Sequence, residues 1–229
     1  MSGQSVLRPV QPGEPAPGFE LPAITRDGMI SLGDFRGSRP VLLGLFRGLS
    51  CPFCRRHIAA LAELEGELHA KGVETLAVVN TPAEQARAYV RFRPMRMQAA
   101  SDEKLDMHRA YGLPASDITD SETQWPHRIN MADIMAMRIN PTGELPEPMD
   151  PVTGGNYLDD LDTKSGLDVR AFAKPEQPGP PRVQLTGTFL VDRDGIVRWT
   201  FLEAAGGPNE FGRFPETREV MAAASSLAS

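Results

Sequence analysis

An α/β chain built on one central sheet is what these 229 residues predict, and three observations carry the prediction. Apolar runs of strand length alternate with helix-length amphipathic segments through the first half. A later pair of apolar runs brackets an Asp-Gly turn, and between the two regions lie about seventy residues in which no period holds. The hydrophobic content of 41% suffices for a packed core, which excludes wholesale disorder, and the length fits a single domain, 1–229.

The elements follow in order. Residues 40–47 form a near-continuous apolar run, as expected of a strand buried on both faces. After Gly48-Leu49-Ser50, a helix is predicted from Pro52, whose missing N–H costs nothing in the first turn. Ile58, Leu61, Ala62, Leu64 and Leu68 share its apolar face, and Lys71-Gly72 stops it. Val73–Val79 is a second buried strand, Thr81-Pro82 open a helix to about Phe92, and a short strand near 97–100 precedes a helix over 102–111. Strand, helix, strand, helix implies parallel pairing through right-handed crossovers. A short helix is predicted over 130–139. Residues 140–182 hold eight Pro and five Gly, which predicts a long irregular excursion, and its acidic stretch from Glu144 to Asp162 reads as a solvated surface. Thr188–Val191 and Ile196–Phe201 around Asp194-Gly195 predict a hairpin, and a last helix spans about 215–227.

Several function classes are excluded by charge and composition. A net charge of −6 argues against broad affinity for nucleic acid or anionic membrane. No apolar run approaches the roughly 18 residues of a membrane span. The opening segment lacks the apolar centre of a secretory signal, so the chain is expected to be cytoplasmic.

Only two cysteines occur, as Cys51-Pro52-Phe53-Cys54. A disulfide scaffold needs several widely spaced Cys, and a structural zinc site needs four ligands, so no metal and no cofactor are expected. Between a strand and a helix, the pair reads as a redox couple. Cys51 falls at or near the helix N-cap, where converging N–H groups favour an anion. An interaction of up to about 2 kcal/mol there lowers a thiol pKa by about 1.5. Arg47, Arg55 and Arg56 add positive charge nearby. Cys51 is therefore the predicted nucleophile, and Cys54, one turn inward, the group that attacks a mixed disulfide formed on it. The alternative is two inert, packed cysteines. His57 reads as a partly buried helix residue or as a proton shuttle or ligand. Trp125 reads as packing or as a cleft wall, and Met131, Met135 and Met137 as gap fillers or soft-metal ligands.

Gly13–Leu21, Ser31–Gly37, Phe46–Cys54, Gly72–Val78, Ala110–Leu113 and Thr188–Asp192, taken in that order, make the chain resemble the thioredoxin superfamily. Within it, they resemble the alkyl hydroperoxide reductase/thiol-specific antioxidant, peroxiredoxin-like group. The resemblance covers about 10–113 and 184–228, leaving 114–182 as an insertion. It implies a three-layer thioredoxin-like fold, a central mixed sheet flanked by helices, with the active Cys at the first long helix. It also implies a disulfide or hydroperoxide substrate, protein or small molecule, and a thiol electron donor of thioredoxin or glutathione type, and it admits a homodimer. The chain departs from the pattern where peroxiredoxins place a Pro, a Thr or Ser, and an Arg: Gly44, Gly48 and Thr186 stand there. Gly187 occupies the position of the thioredoxin cis-Pro, just before Thr188, and CPFC is similar to the glutaredoxin CPYC.

The expected function is thus thiol–disulfide exchange through Cys51 and Cys54, supported by Arg47, Ser50, Pro52, Arg55, Gly187 and Thr188. Two alternatives stand beside it: a thiol peroxidase passing through a Cys51 sulfenic acid, and a non-enzymatic redox sensor or metal-binding adaptor.

Overall fold

A computed structural model describes residues 8–173 and 179–227. A small antiparallel hairpin comes first, β1 (Glu20–Pro22) with β2 (Met29–Ser31). Then follow β3 (Val41–Phe46), α1 (Pro52–Ala70), β4 (Glu74–Val79), α2 (Ala83–Phe92), β5 (Gln98–Ser101) and α3 (Asp106–Ala110). The next segment supplies β6 (Ala115–Thr119), β7 (Arg128–Asn130), α4 (Met131–Ala136), α5 (Pro151–Lys164) and β8 (Arg182–Gln184). The chain closes with β9 (Gly187–Val191), β10 (Val197–Leu202) and α6 (Thr217–Ser225).

The central sheet is mixed and ordered β10-β9-β3-β4-β5. β3 pairs in parallel with β4 and antiparallel with β9, so the strand leading to the cysteines lies in the middle. Every residue of β3 is buried, which accounts for its unbroken apolar sequence. Strand periodicity divides it between two cores. Leu42 and Phe46 face one side with Ile58 and Leu61 of α1 and Val220 of α6. Val41, Leu43 and Leu45 face the other with Met107, Tyr111 and the N-terminal hairpin. Helices thus cover both faces of a mixed sheet, the three-layer arrangement expected from the sequence.

The intervening segment is more ordered than its composition predicts. β6 pairs in parallel with β7 and antiparallel with β8, forming a second, three-stranded sheet. α5 runs for 14 residues through the stretch expected to be irregular. Asp150 caps it, accepting from the N–H groups of Val152 and Thr153, with Pro151 next. The glycines that weaken the helical signal are used for contact. A Cβ at Gly154 would sit 2.9 Å from Leu145 Cδ1, and one at Gly155 3.6 Å from Pro52 Cγ. The absence of a side chain at Gly154 thus lets Leu145 pack against α5, while Gly155 faces the start of α1 at ordinary contact distance.

The acidic surface expected over this stretch also needs correction. Asp162 is 2% exposed and takes charged hydrogen bonds from Arg55 Nε (2.8 Å), Arg56 Nη1 (2.6 Å) and Arg93 Nη2 (3.3 Å). Asp159 pairs with Arg55 as well. Helical spacing turns Asp159 and Asp162 onto one face, and that face meets the arginines of α1. Removing one partner strands the other charges in a dry interface. Asp162→Ala should cost about 3 to 5 kcal/mol and loosen α5 ahead of the sheet, checked by urea unfolding together with hydrogen exchange of α5 amides.

Candidate active site

β3 ends at Phe46 and the chain turns sharply into α1. Gly48 makes the turn possible: its φ is +117°, and a Cβ there would fall 2.4 Å from the Asn80 carbonyl oxygen. The turn is pinned on both sides. Leu49 N–H donates to Thr81 Oγ1 (2.9 Å), Arg55 Nη1 donates to the Leu49 carbonyl (2.7 Å), and Cys51 N–H donates to the Gly48 carbonyl (3.2 Å).

Cys51 is the N-cap of α1, with Pro52 in the first turn, and its Sγ accepts from the Cys54 N–H at 3.3 Å. The Cys54 side chain is near enough to favour the ionised form of Cys51. Both cysteines are free and buried, Cys51 at 9% exposure and Cys54 at none. Burial pushes the Cys51 thiol up. The Cys54 side chain, the charge of Arg47 and the Cys54 N–H together outweigh it and bring Cys51 down to about 6. Cys54 moves the other way: burial, the Cys51 side chain beside it and the charge on that thiolate raise it well above the ordinary value. One sulfur is ionised near neutrality while the adjacent one keeps its proton.

Arg47 supplies the charge. Its guanidinium pairs with Glu203, whose side chain is fully buried, and lies over the Phe211 ring at 4.5 Å. Glu203 is itself held by the Thr186 N–H (2.9 Å), Thr186 Oγ1 (3.0 Å) and the Gly212 N–H (2.7 Å). Four donors thus satisfy one buried carboxylate, which in turn fixes the arginine. Nothing local in the sequence announces Glu203. The available signal is a lone acid directly after the apolar run of β10 and before Ala204-Ala205.

Cys51, Arg47, Pro52 and Phe53 form one side of a cavity of about 220 Å³. The segment after α3 supplies the other side, with Ser116 and Ile118 from β6, Ile129 from β7, Ile134 from α4, Val152 from α5 and Val183 from β8. Trp125 lines it too, its indole N–H donating to the Ala204 carbonyl at 3.0 Å, so packing and wall are the same role. Met131 and Met137 contribute side chains to the lining.

The remaining residues expected to support the site lie outside the cavity. Ser50 sits in the pinned turn. Arg55 is committed to Asp159, Asp162 and Leu49, so it braces the turn and α5, and Arg47 is the arginine acting on the Cys51 sulfur. Gly187 and Thr188 belong to β9, registered opposite Leu45 and Gly44. A Cβ at Gly187 would meet Phe189 Cε2 at 2.8 Å and Leu113 Cδ2 at 2.9 Å, so close packing explains this glycine. His57 is stacked on Phe214 at 4.1 Å, and burial lowers it to about 3.

With this geometry in place, known families can be compared. The profile of the AhpC/TSA family matches residues 12–136, more than half of the chain. The chain belongs to the AhpC/TSA family. No curated protein matches the sequence. Among solved structures, the reduced 2-Cys peroxiredoxin of Plasmodium vivax is similar at a TM-score of 0.57 and 15% identity, over 96% of this chain and 82% of the other. Peroxidoxin BcpB of Mycobacterium tuberculosis gives 0.55 and 14%, over 95% and 96%. A putative thiol:disulfide interchange protein DsbE from Chlorobium tepidum gives 0.51 and 18%, over 96% and 98%. The fold is therefore thioredoxin-like. AhpC/TSA membership together with the paired cysteines supports thiol-based redox chemistry. Among the described residues, no helix is long and apolar enough to cross a membrane.

Alkylation of the reduced protein should show a thiolate midpoint near pH 6 for Cys51, and Arg47→Met should move it up toward 9.0. Between those values the unfolded chain holds a proton that the folded chain has released. This sulfur's contribution to stability is therefore complete above pH 9.0 and lost as the pH falls through about 6. His57, held near 3 against an ordinary 6.5, likewise contributes above pH 6.5 and loses that contribution toward pH 3. His57→Phe should keep the stack on Phe214 and flatten the acid limb of stability, read by urea unfolding across that interval.

Proposed function

We propose that the protein is a thiol–disulfide oxidoreductase in which Cys51 is the nucleophile and Cys54 the resolving thiol. The observation that carries this reading is the placement of Cys51 at the N-cap of α1 with its Sγ accepting from the Cys54 N–H at 3.3 Å, which goes with opposed ionisation of the pair, Cys51 lowered to about 6 and Cys54 raised. The Cys51 thiolate attacks one sulfur of a substrate disulfide. A new S–S bond forms to Cys51, the substrate S–S bond breaks, and the departing sulfur takes a proton from solvent. Cys54 then loses its proton and attacks Cys51 Sγ, releasing the second substrate thiol and leaving a Cys51–Cys54 disulfide. Two electrons pass from protein to substrate, and a thiol electron donor restores the pair.

Arg47 favours a second reading, a peroxidase. A fixed cation beside a thiolate is suited to stabilise negative charge on a leaving oxygen. Cys51 would attack the distal oxygen of a hydroperoxide, the O–O bond would break and an alcohol or water would depart. The resulting sulfenic acid would condense with Cys54, releasing water. Gly48, which offers no side-chain donor where the family pattern has Thr or Ser, and Thr186, which stands where it has Arg and whose hydroxyl donates to Glu203, support the first reading over this one.

Reduced protein mixed with one equivalent of a disulfide or of hydrogen peroxide separates the two, with mass detection of the Cys51–Cys54 disulfide. Rapid oxidation by the disulfide and slow oxidation by peroxide is the expected result, and the reverse order would establish the peroxidase. Cys54→Ser should accumulate a mixed disulfide on Cys51, while Cys51→Ser should abolish both reactions. Normal turnover by Cys54→Ser would remove the resolving role.

A further inference from the structure

Thiol–disulfide exchange needs only an accessible sulfur, yet here Cys51 opens into a chamber with largely apolar walls. The walls opposite Cys51 are Ile118, Trp125, Ile129, Ile134, Met137 and Val183, all from the segment between α3 and β9. About 220 Å³ exceeds the roughly 150 Å³ of an engineered apolar cavity that takes benzene. The charged side chain in the lining is Arg47, and its charge is already matched by Glu203. A carboxylate entering this chamber would shed its water and face the Cys51 thiolate with no counter-charge left to receive it, and an ammonium would find only that thiolate, which Arg47 already faces. One further group lines it: Ser116, 1% exposed, whose hydroxyl has no hydrogen-bond partner among the described residues. A buried hydroxyl without a partner is costly unless a ligand atom meets it.

We propose that this chamber selects small, uncharged, largely apolar disulfides whose entering half carries one hydrogen-bonding atom, and that the segment forming its walls sets this specificity. The inference rests on the proposed oxidoreductase function and names its substrate class. The apolar substituent fills the space under α4, Ser116 Oγ meets the single polar atom after rotation about its χ1, and the disulfide lies against Cys51. Exchange proceeds as written above: one thiol leaves on the first attack, the second when Cys54 closes the protein disulfide. Glutathione disulfide, with its several charges, is a poor occupant, so glutathione is disfavoured here as the oxidised partner.

The test uses the full reduced chain in single turnover, with three probes: neutral 4,4′-dithiodipyridine, dianionic 5,5′-dithiobis(2-nitrobenzoate) and oxidised glutathione. Each rate is divided by that of the same probe with 2-mercaptoethanol, which removes intrinsic reactivity. The neutral probe should show a normalised rate at least about tenfold above both charged ones, a discrimination of the size a shaped apolar pocket provides. Met131 lines the chamber and is 38% exposed, so a charge is tolerated there; Met131→Lys should shrink the ratio by improving the anionic probe. Ser116→Ala should slow dithiodipyridine about tenfold while leaving the Cys51 alkylation midpoint in place. Equal normalised rates for neutral and charged probes, unmoved by Met131→Lys, would overturn the specificity while leaving the oxidoreductase standing. Failure of every probe to generate the Cys51–Cys54 disulfide would overturn the oxidoreductase reading, and the inference with it.

Discussion

The site is organised around a buried cation, the Arg47 guanidinium, held between the Glu203 carboxylate and the Cys51 sulfur. Burying an arginine is costly unless its charge is met and its geometry fixed. Glu203 meets the charge, and Thr186, Gly212 and the Phe211 ring fix the pair. Each of these contacts comes from a different part of the chain: the end of β3, the entry to β9, and the loop after β10. The sheet must therefore be assembled before the charge can be placed. Once it is placed, a thiol that burial alone would keep protonated is ionised near neutrality, and its partner remains protonated.

A second ionic cluster holds the wall beside that sulfur. Arg55, Arg56 and Arg93 converge on Asp162, and Asp159 joins them. This cluster ties α5 to α1 and α2, and α5 carries one side of the chamber above Cys51. Two buried networks thus divide the work. One tunes the Cys51 sulfur and the other holds the wall beside it. Arg55 stands only four residues beyond Cys51 yet belongs to the wall, because its guanidinium is consumed by carboxylates 104 and 107 residues further along.

The core of the fold was legible because it repeats simple periods. β3 and β4 are buried on both faces and read as unbroken apolar runs; α1 shows its face through Ile58, Leu61 and Leu68. The Asp-Gly turn between β9 and β10 predicted their antiparallel pairing. Prediction failed over α5, where Pro151, Gly154 and Gly155 suppress the helical signal. Their purpose, a first-turn proline and the close packing of Leu145 on Gly154, exists only in three dimensions. Acids at 159 and 162 resemble any solvated acidic stretch until the arginines opposite them are in place.

The Cys-x-x-Cys spacing at a strand-to-helix junction determined by itself that Cys51 caps a helix and that Cys54 lies one turn inside, because capping and helical period are local. Tertiary structure alone decided which cation acts on the sulfur and what chamber lies above it. Those depend on Glu203 lying 156 residues from Arg47, and on β6, β7, α4 and α5 folding back over α1. Electrostatic and apolar contacts between distant segments leave no period in a sequence: they act through proximity, which only the packed chain provides.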